Sequence, residues 1–210
     1  MPSVKTKVLG KEQEWALWHI TETEQELSFA AMETCPEDII HEQKRLEWLA
    51  ARALIKSMVE DFGLEYCGIH KDEFGKPFLK EHPHQMSLSH SFPFVAAQLD
   101  RNRSVGIDLE QPKEKLRTIA HRVFSPEEAK DAGDDIVKLC IYWCAKESLY
   151  KIYGKRNLLF TDHLHVMPFS LSDHGSLIGK INFPGSETVV PLEYIVTKEF
   201  VIVYTSTSIA

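Results

Sequence analysis

The feature that most constrains this chain is a helical pattern interrupted by a charge. Ile136, Leu139, Cys140, Trp143 and Cys144 recur at the three- and four-residue spacing of an amphipathic helix laid on a core. The next position on that stripe is Glu147, and Lys151 follows four residues later beside Tyr150. A carboxylate turned toward a core costs on the order of several kcal/mol unless it is paired, hydrogen-bonded or bound to a metal. The pattern therefore predicts that something meets Glu147.

The best source of such partners is Val105-Gly106-Ile107-Asp108-Leu109-Glu110. As a strand with period two, it turns Val105, Ile107 and Leu109 to one side and Gly106, Asp108 and Glu110 to the other. Gly106 is expected to let a ligand come close. If Glu147 packs over the acidic face, three carboxylates converge and demand a cation. Hard oxygen donors without an interleaved Cys or His pattern select Mg²⁺ or Mn²⁺.

The 210 residues suffice for one large domain or two small ones, and 43% hydrophobic content is ample for a core. A formal net charge of -7 gives no basic surface over the whole chain, which argues against a general nucleic-acid binder, although local basic clusters stay open. Cys35, Cys67, Cys140 and Cys144 lack zinc spacing, consistent with reduced thiols in a cytoplasmic protein. The amino terminus carries lysines but no apolar leader, and no run reaches the ~18 apolar residues of a membrane span.

Along the chain, residues 14–20 alternate as a strand, and the acidic segment through Glu26 reads as a loop or short helix. Cys35-Pro36-Glu37-Asp38 predicts the start of a helix running to about Glu60, with Leu46, Leu49, Ala50, Ala53 and Leu54 as its core stripe. Arg45 and Arg52 share an adjoining face, where they can grip a phosphate or form a solvated flank; spacing favours the flank. Phe74-Gly75-Lys76-Pro77 is a turn. Residues 86–91 alternate, and Phe92-Pro93 is expected to bend a strand that continues to Leu99. Arg101-Asn102-Arg103-Ser104 is expected to form a hairpin loop into the Asp108 strand, making His90 and Asp108 near neighbours. Ser125-Pro126-Glu127-Glu128 reads as a helix cap. Beyond Gly154, alternation at residues 163–167, 177–183, 188–196 and 200–204 predicts antiparallel strands of an α+β sheet, with turns at 173–175 and at Phe183-Pro184-Gly185.

Gly106-Ile107-Asp108-Leu109-Glu110 taken with Trp143-Cys144-Ala145-Lys146-Glu147-Ser148-Leu149-Tyr150-Lys151 resembles the two signature motifs of the 4′-phosphopantetheinyl transferases. Gly75-Lys76-Pro77, Ser89-His90-Ser91 and Phe124-Ser125 with Glu128 are similar to that family's secondary motifs, in the same order. The length points to the monomeric, surfactin-synthetase-activating subclass.

The resemblance implies an α+β fold of two similar, pseudo-symmetric halves packed face to face, 1–102 and 103–210, with coenzyme A between them. It implies transfer of the phosphopantetheine arm to a serine of an apo acyl or peptidyl carrier protein, with release of adenosine 3′,5′-bisphosphate. It makes Asp108, Glu110 and Glu147 the ligands of Mg²⁺, with Mn²⁺ as the alternative. Lys151 would neutralise or protonate the leaving phosphate and Lys146 would help bind it. Ser89 and His90 match contacts to the 3′-phosphate, and Gly75, Lys76 and Pro77 match the turn beside the adenine. Arg45 and Arg52 are candidates for the other phosphates. The proton acceptor is Glu128 or Glu147, which the sequence does not separate.

Two rivals stand beside this reading. A non-catalytic module that binds coenzyme A or a carrier protein would not need three acids. Another Mg²⁺-dependent phosphotransfer enzyme, such as a nuclease, would need a basic groove, which the net charge does not support.

Overall fold

The structure, a computed structural model, describes residues 3–8, 12–183 and 185–206. They belong to two compact units, Met1–Ser104 and Val105–Ala210.

The first unit runs β1 (Ser3–Val8), β2 (Gln13–His19), α1 (Glu24–Ala31), α2 (Glu42–Asp61), β3 (Ile69–Lys71), β4 (Pro77–Leu79), β5 (Gln85–Ser91) and β6 (Phe94–Asp100). Its main sheet has the order β1-β2-β6-β5, antiparallel throughout. Thr23 caps α1 through a reciprocal pair with Glu26, and Met32 ends it in the left-handed region at φ 54°. Leu49, Ala50, Ala53 and Leu54 of α2 are buried against Ala16, Trp18, Val95 and Leu99 of the sheet. β3 and β4 form a hairpin around Asp72, whose carboxylate accepts the amides of Phe74 and Lys76 at 2.9 and 2.8 Å.

Three sequence expectations change here. The long helix begins at Glu42, not near Cys35. The Arg45 guanidinium holds the carbonyls of Pro36 and Ile39, which keeps the preceding loop out of helical pairing. The strand does not continue through Phe92-Pro93 either. The chain reverses there, and β5 pairs with β6 from Ser91 opposite Phe94 back to Gln85 opposite Asp100. Arg101–Ser104 is no hairpin into the Asp108 strand: the buried Asp100 carboxylate accepts the amides of Asn102 and Arg103, both at 2.7 Å, and the chain leaves this sheet. His90 and Asp108 therefore lie in different sheets.

The second unit contains β7 (Ile107–Glu110), α3 (Lys115–Val123), α4 (Pro126–Ala132), α5 (Ile136–Tyr153), α6 (Phe160–His163), β8 (Leu164–Val166), β9 (His174–Phe183), β10 (Ser186–Val196) and β11 (Val201–Thr205). The sheet order is β7-β11-β10-β9-β8, again antiparallel. The mixed α+β class expected from the alternation is what the chain adopts. β9 already begins at His174, so the expected turn at 173–175 lies earlier in the chain. Pro184, in the next expected turn, lies outside the described residues.

Asp135 caps α5 by accepting the amides of Val137 and Lys138, and Gly154 closes it in the left-handed region at φ 66°. Leu139, Cys140 and Cys144 are buried as the stripe predicts, but so are Ile141, Tyr142, Ala145, Ser148 and Leu149. The helix is enclosed on more than one side: Phe124 and Phe169 pack against Tyr142, whose hydroxyl donates to Asp131 at 2.6 Å. Among the described residues no helix is long and apolar enough to cross a membrane.

Candidate functional site

The site in the second unit is made by the close approach of α5 to β7. Gly106 is the reason the two can meet: a Cβ added there would lie 2.0 Å from the Ser148 carbonyl oxygen. The glycine thus admits the helix backbone, not a ligand as its sequence context suggested. Ser148 secures the contact by donating to Val203 O at 3.1 Å on β11, the strand that pairs with β7.

Two residues along β7, the same face carries Asp108, which is 4% exposed. Lys151 of α5 reaches it from above, donating to Asp108 Oδ1 and to Ile107 O, both at 2.7 Å. Glu147 stands one turn earlier on the helix. Burial first, and then the field of Asp108, pushes its carboxyl from 4.5 up to about 7; Glu110 adds to the rise and Lys151 opposes it. The charge that broke the apolar stripe therefore feels the field of both β7 acids.

Among the described residues no three His, Cys, Asp or Glu side chains are grouped so as to hold a metal ion. Asp108 takes its positive charge from the Lys151 ammonium. The carboxylates of Asp108, Glu110 and Glu147 are nevertheless hard oxygen donors, the type a divalent cation such as Mg²⁺ takes. The neighbouring Cys144 does not convert this into a soft-metal site. Burial, then Cys140 and the two β7 carboxylates, pushes its thiol up, so it stays protonated and donates toward Val201 O.

Lys146 and Glu128, expected at the coenzyme and at the serine proton, are instead bound to each other. Their charged atoms lie 2.6 Å apart with exposures of 0% and 2%, which removes both from contact with solvent. Lys146 also donates to Val123 O at 2.7 Å and Phe160 O at 2.9 Å. Glu128 accepts the amides of Ser125 at 2.7 Å and Val166 at 2.8 Å.

In the first unit, Gly75 takes φ +90° in the β3–β4 turn, with Lys76 and Pro77 following it into β4. Burial lowers the Lys76 ammonium, with Asp72 acting against the shift. Ser89 and His90 sit on β5, Ser89 buried and His90 exposed, with His90 Nδ1 3.2 Å from Glu47. Sequence reasoning missed Glu47, a buried carboxylate that also accepts Lys44 at 2.6 Å and Gln43 at 3.1 Å. The Gln43–Glu47 spacing on one helix face was the available signal. Arg45 is committed to Glu24 through two bonds, and Arg52 to Glu33 at 3.0 Å while stacking on Trp48. Both arginines are staples between helix α2 and the chain before it, and Arg52 is largely buried, so they are not the solvated flank that spacing favoured.

Residues 104–203 match the model of the 4′-phosphopantetheinyl transferase superfamily. A 4′-phosphopantetheinyl transferase of Bacillus subtilis is 32% identical over 120 residues, covering 50% of this chain and 53% of the relative. The 4′-phosphopantetheinyl transferase Sfp of Bacillus subtilis strain 168 is 30% identical over 124 residues, 55% of each chain. A protein of Haemophilus influenzae is 31% identical over 122 residues, 54% of this chain and 52% of its own. The chain thus matches about half the length of these curated relatives.

Proposed function

From the match of residues 104–203 to the 4′-phosphopantetheinyl transferase superfamily, we propose that the chain moves the phosphopantetheine arm of coenzyme A onto a serine hydroxyl of an apo acyl or peptidyl carrier protein. Adenosine 3′,5′-bisphosphate is the product left behind. The observation that carries this reading is the meeting of α5 with β7, where Lys151 donates to the buried Asp108 at 2.7 Å one turn from Glu147.

In the transfer, a bond forms between the serine oxygen and the phosphorus bearing the pantetheine, and the bridging bond to the adenosine-side phosphate breaks. Such displacement needs positioning and charge neutralisation more than covalent help from the protein. Glu147, one turn before Lys151 on α5, accepts the serine proton, directly or through water. Glu128 is a poor acceptor because its oxygens already serve Lys146, Ser125 and Val166. Lys151 neutralises the departing phosphate. Asp108, Glu110 and Glu147 would hold Mg²⁺, or Mn²⁺, which when bound supplies charge neutralisation to the pyrophosphate.

In the first unit, Gly75, Lys76 and Pro77 border the adenine, and Ser89 and His90 contact the 3′-phosphate. Arg45 and Arg52 play no part in binding. The protein acts as a monomer in the cytoplasm, and neither nucleic acid nor membrane is a partner. The test is incubation with coenzyme A, Mg²⁺ and a panel of apo carrier proteins, followed by intact-mass measurement. One phosphopantetheine per carrier, with matching release of adenosine 3′,5′-bisphosphate, is expected. Coenzyme A binding without mass gain on any carrier would favour the non-catalytic binding module.

A further inference from the structure

Among the described residues of the second unit, the Lys146–Glu128 pair is the one buried charge cluster that the chemistry above leaves without a task. Lys146 has no exposed surface, and its three donors are matched by Glu128, Val123 O and Phe160 O. Glu128 in turn serves the Ser125 amide on one oxygen and the Val166 amide on the other. Two side chains thereby join the end of α3, the cap of α4, α6 and the end of β8 to α5, at the residue immediately before Glu147. An ammonium so enclosed has no donor to offer a phosphate.

We propose that Lys146 and Glu128 are positioning residues: a buried latch that fixes the rotation of α5, so that Glu147 and Lys151 face Asp108, and that touches no ligand itself. The packing around α5 explains why such a device is useful. The helix is buried on more than one side by apolar residues, and apolar packing tolerates alternative arrangements of similar volume. A helix advances about 100° per residue, so a slip of one position would carry Glu147 off the β7 face. Any such slip would strand a buried lysine and a buried glutamate, which makes the observed rotation the one that satisfies both charges. The latch also explains why Lys146 and Glu147 adjoin in sequence: one faces away from the site and holds the helix while the other faces into it.

The catalytic part of this inference rests on the transferase reading, and the experiment separates the two. Lys146→Met, Glu128→Gln and the double variant are compared with the wild type; the double variant replaces the ion pair by neutral groups of similar size and stays folded if a single variant does not. Calorimetry with coenzyme A and steady-state transfer to a carrier are measured on folded protein. The latch predicts that kcat falls by about tenfold or more in Lys146→Met and in the double variant, with any loss of coenzyme A affinity smaller than the loss of kcat. A tenfold loss of affinity with kcat retained would make Lys146 a ligand contact and overturn the proposal. Unchanged kcat and affinity would reduce the pair to packing and overturn it equally.

Should the wild type itself fail to transfer, the proposed function is lost and the latch is judged by amide exchange. In the double variant, exchange should rise about tenfold or more at Val166 and across residues 147–151. Wild-type exchange at those amides would refute it.

Discussion

Replacing Glu147 by glutamine should stabilise the metal-free protein at alkaline pH, because the wild-type carboxylate is held in a place that resists its charge. The folded carboxyl titrates near 7 and the unfolded one near 4.5. Between those values the folded chain retains a proton that the unfolded chain has released, so stability falls as pH rises through the window. At about 1.4 kcal/mol for each tenfold change in proton affinity, the full penalty is about 3 kcal/mol, and about 2 after allowing for partial solvent access. Glutamine has the shape of the protonated acid without the charge.

Urea denaturation in the presence of chelator should therefore find the two proteins equally stable at pH 4. At pH 8 the glutamine variant should be ahead by about 2 kcal/mol. Mg²⁺ at saturating concentration should close the gap by stabilising the wild type alone, since ligand that binds only the folded state adds stability by mass action. A difference that stays constant from pH 4 to pH 8 would refute the reasoning, because neither burial nor the field of Asp108 and Glu110 would then be resisting the Glu147 charge.

Other consequences follow from single contacts. Gly106→Ala should cost about 3 kcal/mol or more in a denaturation experiment, since its Cβ would sit 2.0 Å from a backbone oxygen that cannot retreat cheaply. Arg52→Met should lower stability by about 1–3 kcal/mol through the loss of a largely buried charged bond to Glu33, with coenzyme A affinity unchanged by calorimetry. His90→Ala should weaken coenzyme A binding severalfold with little change in melting temperature, because the ring is half exposed and at the edge of the Glu47 cluster.

The parts of the fold that were legible in the sequence are those decided within a few residues. Ser125-Pro126 with Glu128 forms the reciprocal cap that its spacing predicts, and Asp135 and Gly154 bracket α5. The four C-terminal strands also follow their alternation, with shifts of a few residues at their ends. What could not be read depended on distant partners. The Asp108 strand pairs with Val201–Tyr204, nearly a hundred residues away, and no local signal distinguishes that pairing from a hairpin with the preceding strand.

The candidate site divides in the same way. Glu147 advertised itself by breaking a stripe, and Asp108 by sharing a strand face with Glu110. Lys146 gave no such signal, because its burial arises from a second enclosed side of α5 that the 136–144 periodicity does not report. Gly106 looked like space for a ligand, and only the position of Ser148 shows that a helix fills it.

The most direct test of the account is transfer by Glu147→Gln and Asp108→Ala, each compared with the wild type at equal folded concentration, with coenzyme A, Mg²⁺ and an apo carrier protein that the wild type modifies. Intact mass should show the carrier converted by the wild type and left unmodified by both variants. Conversion by either variant at the wild-type rate would contradict the assignment of these two carboxylates to the chemistry.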